Sequence, residues 1–128
     1  MYVELTMLFY SIILLFVLIL IPASEAILKN GLTAQAGPRD NLPEPTVFNK
    51  RARRLVANMI ENMVMFAPLV LIVAATGKGT ADTALGAQIF FYARVGHAVT
   101  YLAGWPWIRP ALWGVSVVGM IMVAMALL

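Results

Sequence analysis

Hydrophobic residues recur along the chain in four long segments, separated by stretches richer in charged residues, glycine and proline. Each segment is close to the length of about 20 apolar residues that a helix needs to cross a bilayer. The pattern predicts membrane-spanning helices at residues 5–28, 51–76, 82–102 and 110–128. It therefore predicts an all-α integral membrane protein in which residues 1–128 form a single four-helix bundle.

Proline, glycine and threonine indicate where these helices end or bend. Residues 29–49 contain two glycines and three prolines and are predicted to be the one long loop. Pro22 is expected to kink or end the first helix, and Pro68 to bend the second. Thr80 or Asp82 is expected to cap the start of the third helix.

Composition supports the membrane class and excludes several kinds of site. Hydrophobic residues make up 62% of the chain and charged residues 12%, with a mean hydropathy of +0.87. A soluble domain usually carries about 25% charged residues, so the chain has too little polar surface for water. It contains no cysteine and one histidine. A disulfide is therefore impossible, a protein metal site is not expected, and any reactive thiol has to come from a substrate.

The first segment raises the alternative of a cleaved signal peptide. Ser24, Glu25 and Ala26 resemble a small-residue cleavage site. Residues 1–6, however, contain no lysine or arginine, and a signal peptide normally begins with a positively charged region. We therefore expect the first segment to be retained as a membrane span.

Basic residues are distributed unevenly among the connections. The first connection and the adjoining helix start hold six of them, whereas the second holds only Lys78 and the third only Arg109. The positive-inside rule then places the first and third connections in the cytoplasm and both termini outside. Nucleic-acid binding is a poor alternative, because the basic residues lie beside membrane segments.

Two groups of polar residues recur at helical spacing inside the predicted spans. They are Arg54, Asn58 and Glu61 in the second span, and Arg94, His97 and Tyr101 in the third. Residues three and four apart share one helix face, and charged groups at membrane depth are costly unless they meet a polar partner. All of these residues are expected in the cytoplasmic half of the membrane.

A structural role and a binding role both remain open for these groups. Glu61 paired with Arg94 would lock the second span to the third. The arginines nevertheless outnumber the acid, which favours an anionic ligand, and a guanidinium suits carboxylates. Arg51 and Arg53 are interpreted as lipid-headgroup contacts. A separate small-residue pattern in the third span predicts close helix packing at Gly96, Thr100 and Gly104.

The spacing and order of both polar groups, followed by Arg109 at the start of the fourth span, resemble the MAPEG family (membrane-associated proteins in eicosanoid and glutathione metabolism). The segment Gly37, Pro38, Arg39 and Asp40 resembles its bacterial members. The resemblance extends over essentially the whole chain. It implies a homotrimer in a bacterial inner membrane, with glutathione as co-substrate bound between subunits near the cytoplasmic side.

The same resemblance implies roles for individual residues. Glutathione would be bound by Arg54, Asn58, Glu61, Arg94, His97 and Tyr101. Arg109 would face the thiol as the catalytic residue. The implied activity is that of a glutathione-dependent transferase or peroxidase-like enzyme of detoxification, acting on a hydrophobic lipid-like or xenobiotic acceptor.

Two other functions are kept as alternatives. The first is a non-catalytic lipid-binding or scaffold member of the same fold. It is suggested by Trp113, one turn after Arg109, where several family enzymes are expected to have a tyrosine. The second is a small four-span multidrug exporter. Such exporters need an ionisable acid in mid-span, usually in the first span, but Glu4 and Glu25 lie at the ends of that span.

Overall fold

The structure is a computed structural model that describes residues 2–128. In this part of the chain all regular structure is helical. The five helices are α1 (Val3–Asn30), α2 (Leu32–Ala36), α3 (Val47–Thr76), α4 (Ala81–Ala103) and α5 (Ile108–Met125). The four long helices run up and down in sequence, so α3, α4 and α5 each run antiparallel to the preceding long helix. α4 packs most extensively on α5, and α1 packs on both α3 and α4.

Three of the four long helices are long and apolar enough to cross a membrane: α1, α3 and α5. α4 has 23 residues, which is enough length. Its composition is what sets it apart, since Gln88, Arg94 and His97 lie within it. The membrane class is supported, whereas a fourth span at α4 stays a prediction.

The first connection differs from the predicted loop. α1 continues through Pro22 to Asn30, so the helix does not end at the proline. Gly31 then turns the chain at φ 90°, a backbone angle that side chains disfavour, and the short helix α2 follows. Thr46 ends the connection: its hydroxyl accepts a hydrogen bond from the backbone N–H of Asn49 at 3.0 Å and thereby caps α3.

The connection between α3 and α4 follows the prediction more closely. Gly77 ends α3 in the left-handed conformation at φ 68°. Thr80 and Thr83 form a capping box, in which each hydroxyl accepts a hydrogen bond from the other residue's backbone N–H. Of the two predicted caps for α4, Thr80 is therefore the one used.

An aromatic pair lies at the centre of the core. The rings of Phe66 in α3 and Phe90 in α4 stack with their centroids 3.8 Å apart. Leu55, Met59 and Val70 extend the buried face of α3 on either side. This apolar contact holds α3 against α4 below the polar groups near the start of α3.

α4 and α5 approach most closely at two glycines. A Cβ atom added to Gly86 would lie 2.7 Å from the carbonyl oxygen of Gly119, and one added to Gly119 would lie 2.5 Å from the carbonyl oxygen of Gly86. The small-residue pattern predicted at Gly96, Thr100 and Gly104 does not identify this contact. Of its two glycines, Gly96 packs on the Leu112 side chain, and Gly104 faces Arg51 instead. The contact between Gly86 and Gly119 was not predicted, because each helix contributes one glycine to it and a single glycine forms no repeat in the sequence.

We expect Gly119→Ala to destabilise the bundle by about 1–3 kcal/mol, because the added methyl group meets backbone atoms that cannot rotate away. Gly114→Ala is the matched control. It lies in the same helix, gains the same helix propensity and meets no atom within 4 Å. Thermal unfolding in detergent should show a lower melting temperature for Gly119→Ala only. Equal melting temperatures would contradict the close α4–α5 contact.

Candidate functional site

The predicted site residues lie at one end of the bundle. The start of α3 carries Arg54 and Asn58, the last turns of α4 carry Arg94 and Tyr101, and the first turn of α5 carries Arg109. Because the helices alternate in direction, these segments from three helices reach the same level. The up-and-down topology therefore brings together residues that are far apart in sequence.

Arg94 is the most deeply buried charged side chain at this end, with 1% of its surface exposed. Its Nη2 donates a hydrogen bond of 2.7 Å to the Oδ1 atom of Asn58. Asn62 contacts Asn58 in turn, donating to its backbone carbonyl at 2.8 Å. Among residues 2–128, no group accepts a hydrogen bond from Nε or Nη1 of Arg94. Two sets of donors on this buried guanidinium therefore lack an acceptor within the described chain.

The ion pair considered between Glu61 and Arg94 does not form. Glu61 is exposed on the outside of the bundle. In the described part of the chain the one ion pair joins Lys50 to Glu44, in the first connection. That pairing lowers the pKa of the Glu44 carboxyl below its ordinary value, through a hydrogen bond and attraction to the Lys50 ammonium. The neutral amide of Asn58 takes the place predicted for Glu61, so the charge of Arg94 is not cancelled within the bundle.

A second cluster joins the end of α4 to the start of α5. His97 is buried, with 2% of its surface exposed, and its ring lies 5.5 Å from that of Tyr101, centroid to centroid. The guanidinium carbon of Arg109 lies 4.9 Å from the centre of the Tyr101 ring, within reach of a cation–π interaction. Nδ1 of His97 has no hydrogen-bond partner among the described residues. Tyr101 thus connects the buried histidine to the exposed arginine.

The electrostatics of this end favour an anion. Arg109 lies in the first turn of α5, where backbone N–H groups give a helix its positive end. A cation in this position is unfavourable for the helix and adds to the positive potential. No side chain caps this helix start. A negatively charged group near Arg109 would be stabilised by both contributions.

Arg54 and Glu61 occupy a different surface. Both are exposed, whereas Asn58, which shares their helix face, is half-buried. The structure therefore brings Asn58 to Arg94, and Tyr101 to His97 and Arg109. It leaves Arg54 and Glu61 on the outer surface of α3.

Arg51 has a role that the sequence analysis missed. Its Nη1 donates to the backbone carbonyl of Leu102 at 3.1 Å, near the end of α4. Its guanidinium also lies against Gly104, where an added Cβ would be 2.9 Å from the guanidinium carbon. A basic side chain suits a helix C-terminus, because free carbonyls give that end a negative potential. Arg51 therefore fixes α4 to α3 beside Tyr101 and is not only a headgroup contact. Arg51 lies three residues before Arg54, and this spacing does not indicate a contact with the end of α4.

No group of three or more metal-ligating side chains occurs within residues 2–128. The site offers guanidinium groups, an amide, an imidazole and a phenol. These are groups that donate hydrogen bonds to anions.

Comparison with known proteins identifies the family. The family model of the MAPEG family matches residues 5–128. The chain belongs to the MAPEG family. Members of this family are oligomeric membrane proteins that generally use glutathione. Searches of curated proteins and of solved structures returned no significant match.

MAPEG membership and the three membrane-capable helices together make this chain an integral membrane protein. The resemblance seen in the sequence is confirmed at the level of the family.

The bond between Asn58 and Arg94 can be tested with a double-mutant cycle. Asn58→Leu removes the one side-chain acceptor of a buried cation and should cost about 2–3 kcal/mol. In the double variant Asn58→Leu/Arg94→Met the cation is also gone, so we expect less destabilisation than in Asn58→Leu alone. Thermal unfolding of the four proteins in detergent measures the coupling. Strictly additive effects would mean that the two side chains do not interact.

Proposed function

We propose that this MAPEG protein is a glutathione-dependent transferase or peroxidase-like enzyme acting on hydrophobic electrophiles. Glutathione would bind between neighbouring subunits of a homotrimer, on the cytoplasmic side of the membrane. Both termini of each subunit would lie on the opposite side. Family membership supports glutathione as the co-substrate in general. The observation that carries the proposal is the buried Arg94, with two sets of unused donors beside Asn58.

The chemistry of glutathione matches the groups at this end. The tripeptide has two carboxylates, which suit guanidinium groups, and one amine, which suits a carboxylate. We assign the carboxylates to Arg54 and Arg94 and the amine to Glu61. Asn58, His97 and Tyr101 would complete the binding site.

The exposed position of Arg54 and Glu61 supports a site between subunits. A charged side chain that faces lipid is unfavourable, so charged groups within membrane spans normally face protein or water. Both residues lie on the outer surface of α3 in the isolated chain. A neighbouring subunit against this surface would shield both charges from lipid and would form the second wall of the glutathione site.

Arg109 is the residue that we assign to catalysis. A cation beside the glutathione sulfur favours the thiolate and so lowers the pKa of the thiol. The positive end of α5 acts in the same direction. In a transfer reaction the thiolate forms the new sulfur–carbon bond while the leaving group departs with its electron pair. An apolar electrophile can reach the sulfur from the bilayer.

The non-catalytic alternative has one observation in its favour. Trp113 lies one turn after Arg109 on α5 and exposes 45% of its surface. An indole at this position offers an N–H donor and a broad apolar surface but no phenolic hydroxyl. A lipid-binding member of the family would use that surface without activating a thiol.

Two arginine variants separate binding from catalysis. Arg54→Ala should raise the glutathione dissociation constant about tenfold or more, since it removes a charge-assisted contact to a carboxylate. Arg109→Ala should lower kcat about 100-fold with a smaller effect on glutathione affinity, since its charge acts on the developing thiolate. Steady-state kinetics with glutathione and an aryl halide acceptor measures both effects.

Arg53→Ala is the matched control for Arg54→Ala. It removes the same charge from a neighbouring exposed position on α3 and should leave both parameters within about twofold of the wild-type values. Near-wild-type kinetics in both Arg54→Ala and Arg109→Ala would contradict the assigned roles.

A further inference from the structure

A cavity lies between the C-terminal part of α1, the short helix α2 and the start of α3. Its volume is about 710 Å³, and none of its lining residues belongs to the glutathione site proposed above. Arg39 helps to close it: this residue adopts a left-handed conformation at φ 69°, and its Nε donates to the backbone carbonyl of Gln35 at 2.7 Å. The predicted loop at residues 29–49 thus supplies one side of the cavity, and α1 and α3 supply the rest.

The cavity lies at the depth of the lipid headgroups. α1 has 28 residues, which corresponds to about 42 Å of helix, whereas the hydrocarbon core is about 30 Å thick. The apolar run of α1 ends at Ile21, and the lining residues from α1 extend from Ile19 to Asn30. This end of α1 therefore projects beyond the hydrocarbon core, and the cavity is next to the phosphate and amine groups of the lipid.

The polar side of the cavity presents an anion and a buried acceptor. The carboxylate of Glu25 accepts hydrogen bonds from the Thr46 hydroxyl, at 2.9 Å, and from Nδ2 of Asn49. The same nitrogen of Asn49 also donates to the backbone carbonyl of Pro22 at 2.9 Å, which fixes the orientation of the amide. Asn49 is 1% exposed, and its Oδ1 has no donor among the described residues. A carboxylate beside an unused acceptor suits a primary ammonium group.

Basic residues and an apolar surface complete the cavity. Of the three basic residues in its lining, Lys29 donates to the backbone carbonyl of Glu44 at 2.8 Å and Arg39 to that of Gln35. Arg53 lines it and makes no side-chain hydrogen bond within the described chain, so its guanidinium is available for a phosphate. Ile19 and Ile27 of α1 and Leu32 of α2 give the lining its apolar surface, and Ile19 belongs to the apolar part of α1. The cavity therefore has a site for a cation, a site for a phosphate and an apolar surface for an acyl chain.

We propose that this cavity binds phosphatidylethanolamine. Its primary ammonium would donate to Glu25 and to Oδ1 of Asn49, its phosphate would accept from Arg53, and an acyl chain would lie along Ile19, on the bilayer side of Glu25. Phosphatidylcholine has the same phosphate, but its quaternary ammonium has no N–H to donate. Phosphatidylglycerol has no cation at all. The site thus selects the headgroup by its amine, and it does so independently of any glutathione chemistry.

Native mass spectrometry of the detergent-solubilised protein tests the selection. With equal amounts of phosphatidylethanolamine and phosphatidylcholine, the wild-type protein should bind the former about tenfold more, because the choline headgroup loses charge-assisted hydrogen bonds. Glu25→Gln should abolish the preference, since an amide can still accept from Thr46 but no longer attracts the ammonium. Asp40→Asn is the control: it removes one carboxylate charge from the first connection, outside the cavity lining, and should keep the preference.

Two further measurements test the proposal even if Glu25→Gln does not fold. Arg53→Gln should weaken both lipids and leave their ratio unchanged, because the phosphate is common to them. Soluble phosphoethanolamine at millimolar concentration should not displace the lipid, because it lacks the acyl chain. Equal binding of the two lipids would overturn the proposal, as would displacement by phosphoethanolamine. A preference for phosphatidylglycerol, when it replaces phosphatidylcholine in the mixture, would also overturn it.

Discussion

A guanidinium buried where α3 meets α4 constrains both the fold and the site. Burial of a charged group is strongly unfavourable unless other groups accept its hydrogen bonds. Arg94 finds one side-chain acceptor, Asn58, which is contacted in turn by Asn62. The stacked rings of Phe66 and Phe90 supply the apolar contact that holds the two helices in this register. The bundle therefore stabilises an arginine whose hydrogen-bonding capacity is only partly used.

The hydrogen-bond donors of Arg94 that lack an acceptor connect the fold to the proposed chemistry. Arg109 lies at the same end of the bundle, where its guanidinium packs over the Tyr101 ring. Arg51 fixes the nearby end of α4 to α3. Positive charge thus accumulates where no acidic side chain neutralises it among the described residues. α4 carries much of this polarity, which is why its composition falls short of a typical membrane span although its length does not. An anionic co-substrate with two carboxylates would stabilise this arrangement.

Helix-level features were predictable because they depend on local sequence. Apolar runs located the long helices, and Thr80 was recognisable as a cap. The two polar groups were recognisable from their spacing, but the choice of Asn58 over Glu61 as the partner of Arg94 was not. Spacing identifies a helix face, whereas this choice depends on the rotation of α3 against α4. The Gly86–Gly119 contact and the bond from Arg51 to Leu102 depend on tertiary packing in the same way.

The proposed function requires that the positive end of the bundle bind glutathione. Isothermal titration calorimetry of glutathione into the detergent-solubilised protein tests it most directly. We predict saturable binding at or below millimolar concentration, with an affinity that falls as salt increases, because attraction between a carboxylate and an exposed arginine such as Arg54 is screened. Absence of binding at millimolar glutathione in low salt would contradict the account and would favour a member of the family that binds lipid without catalysis.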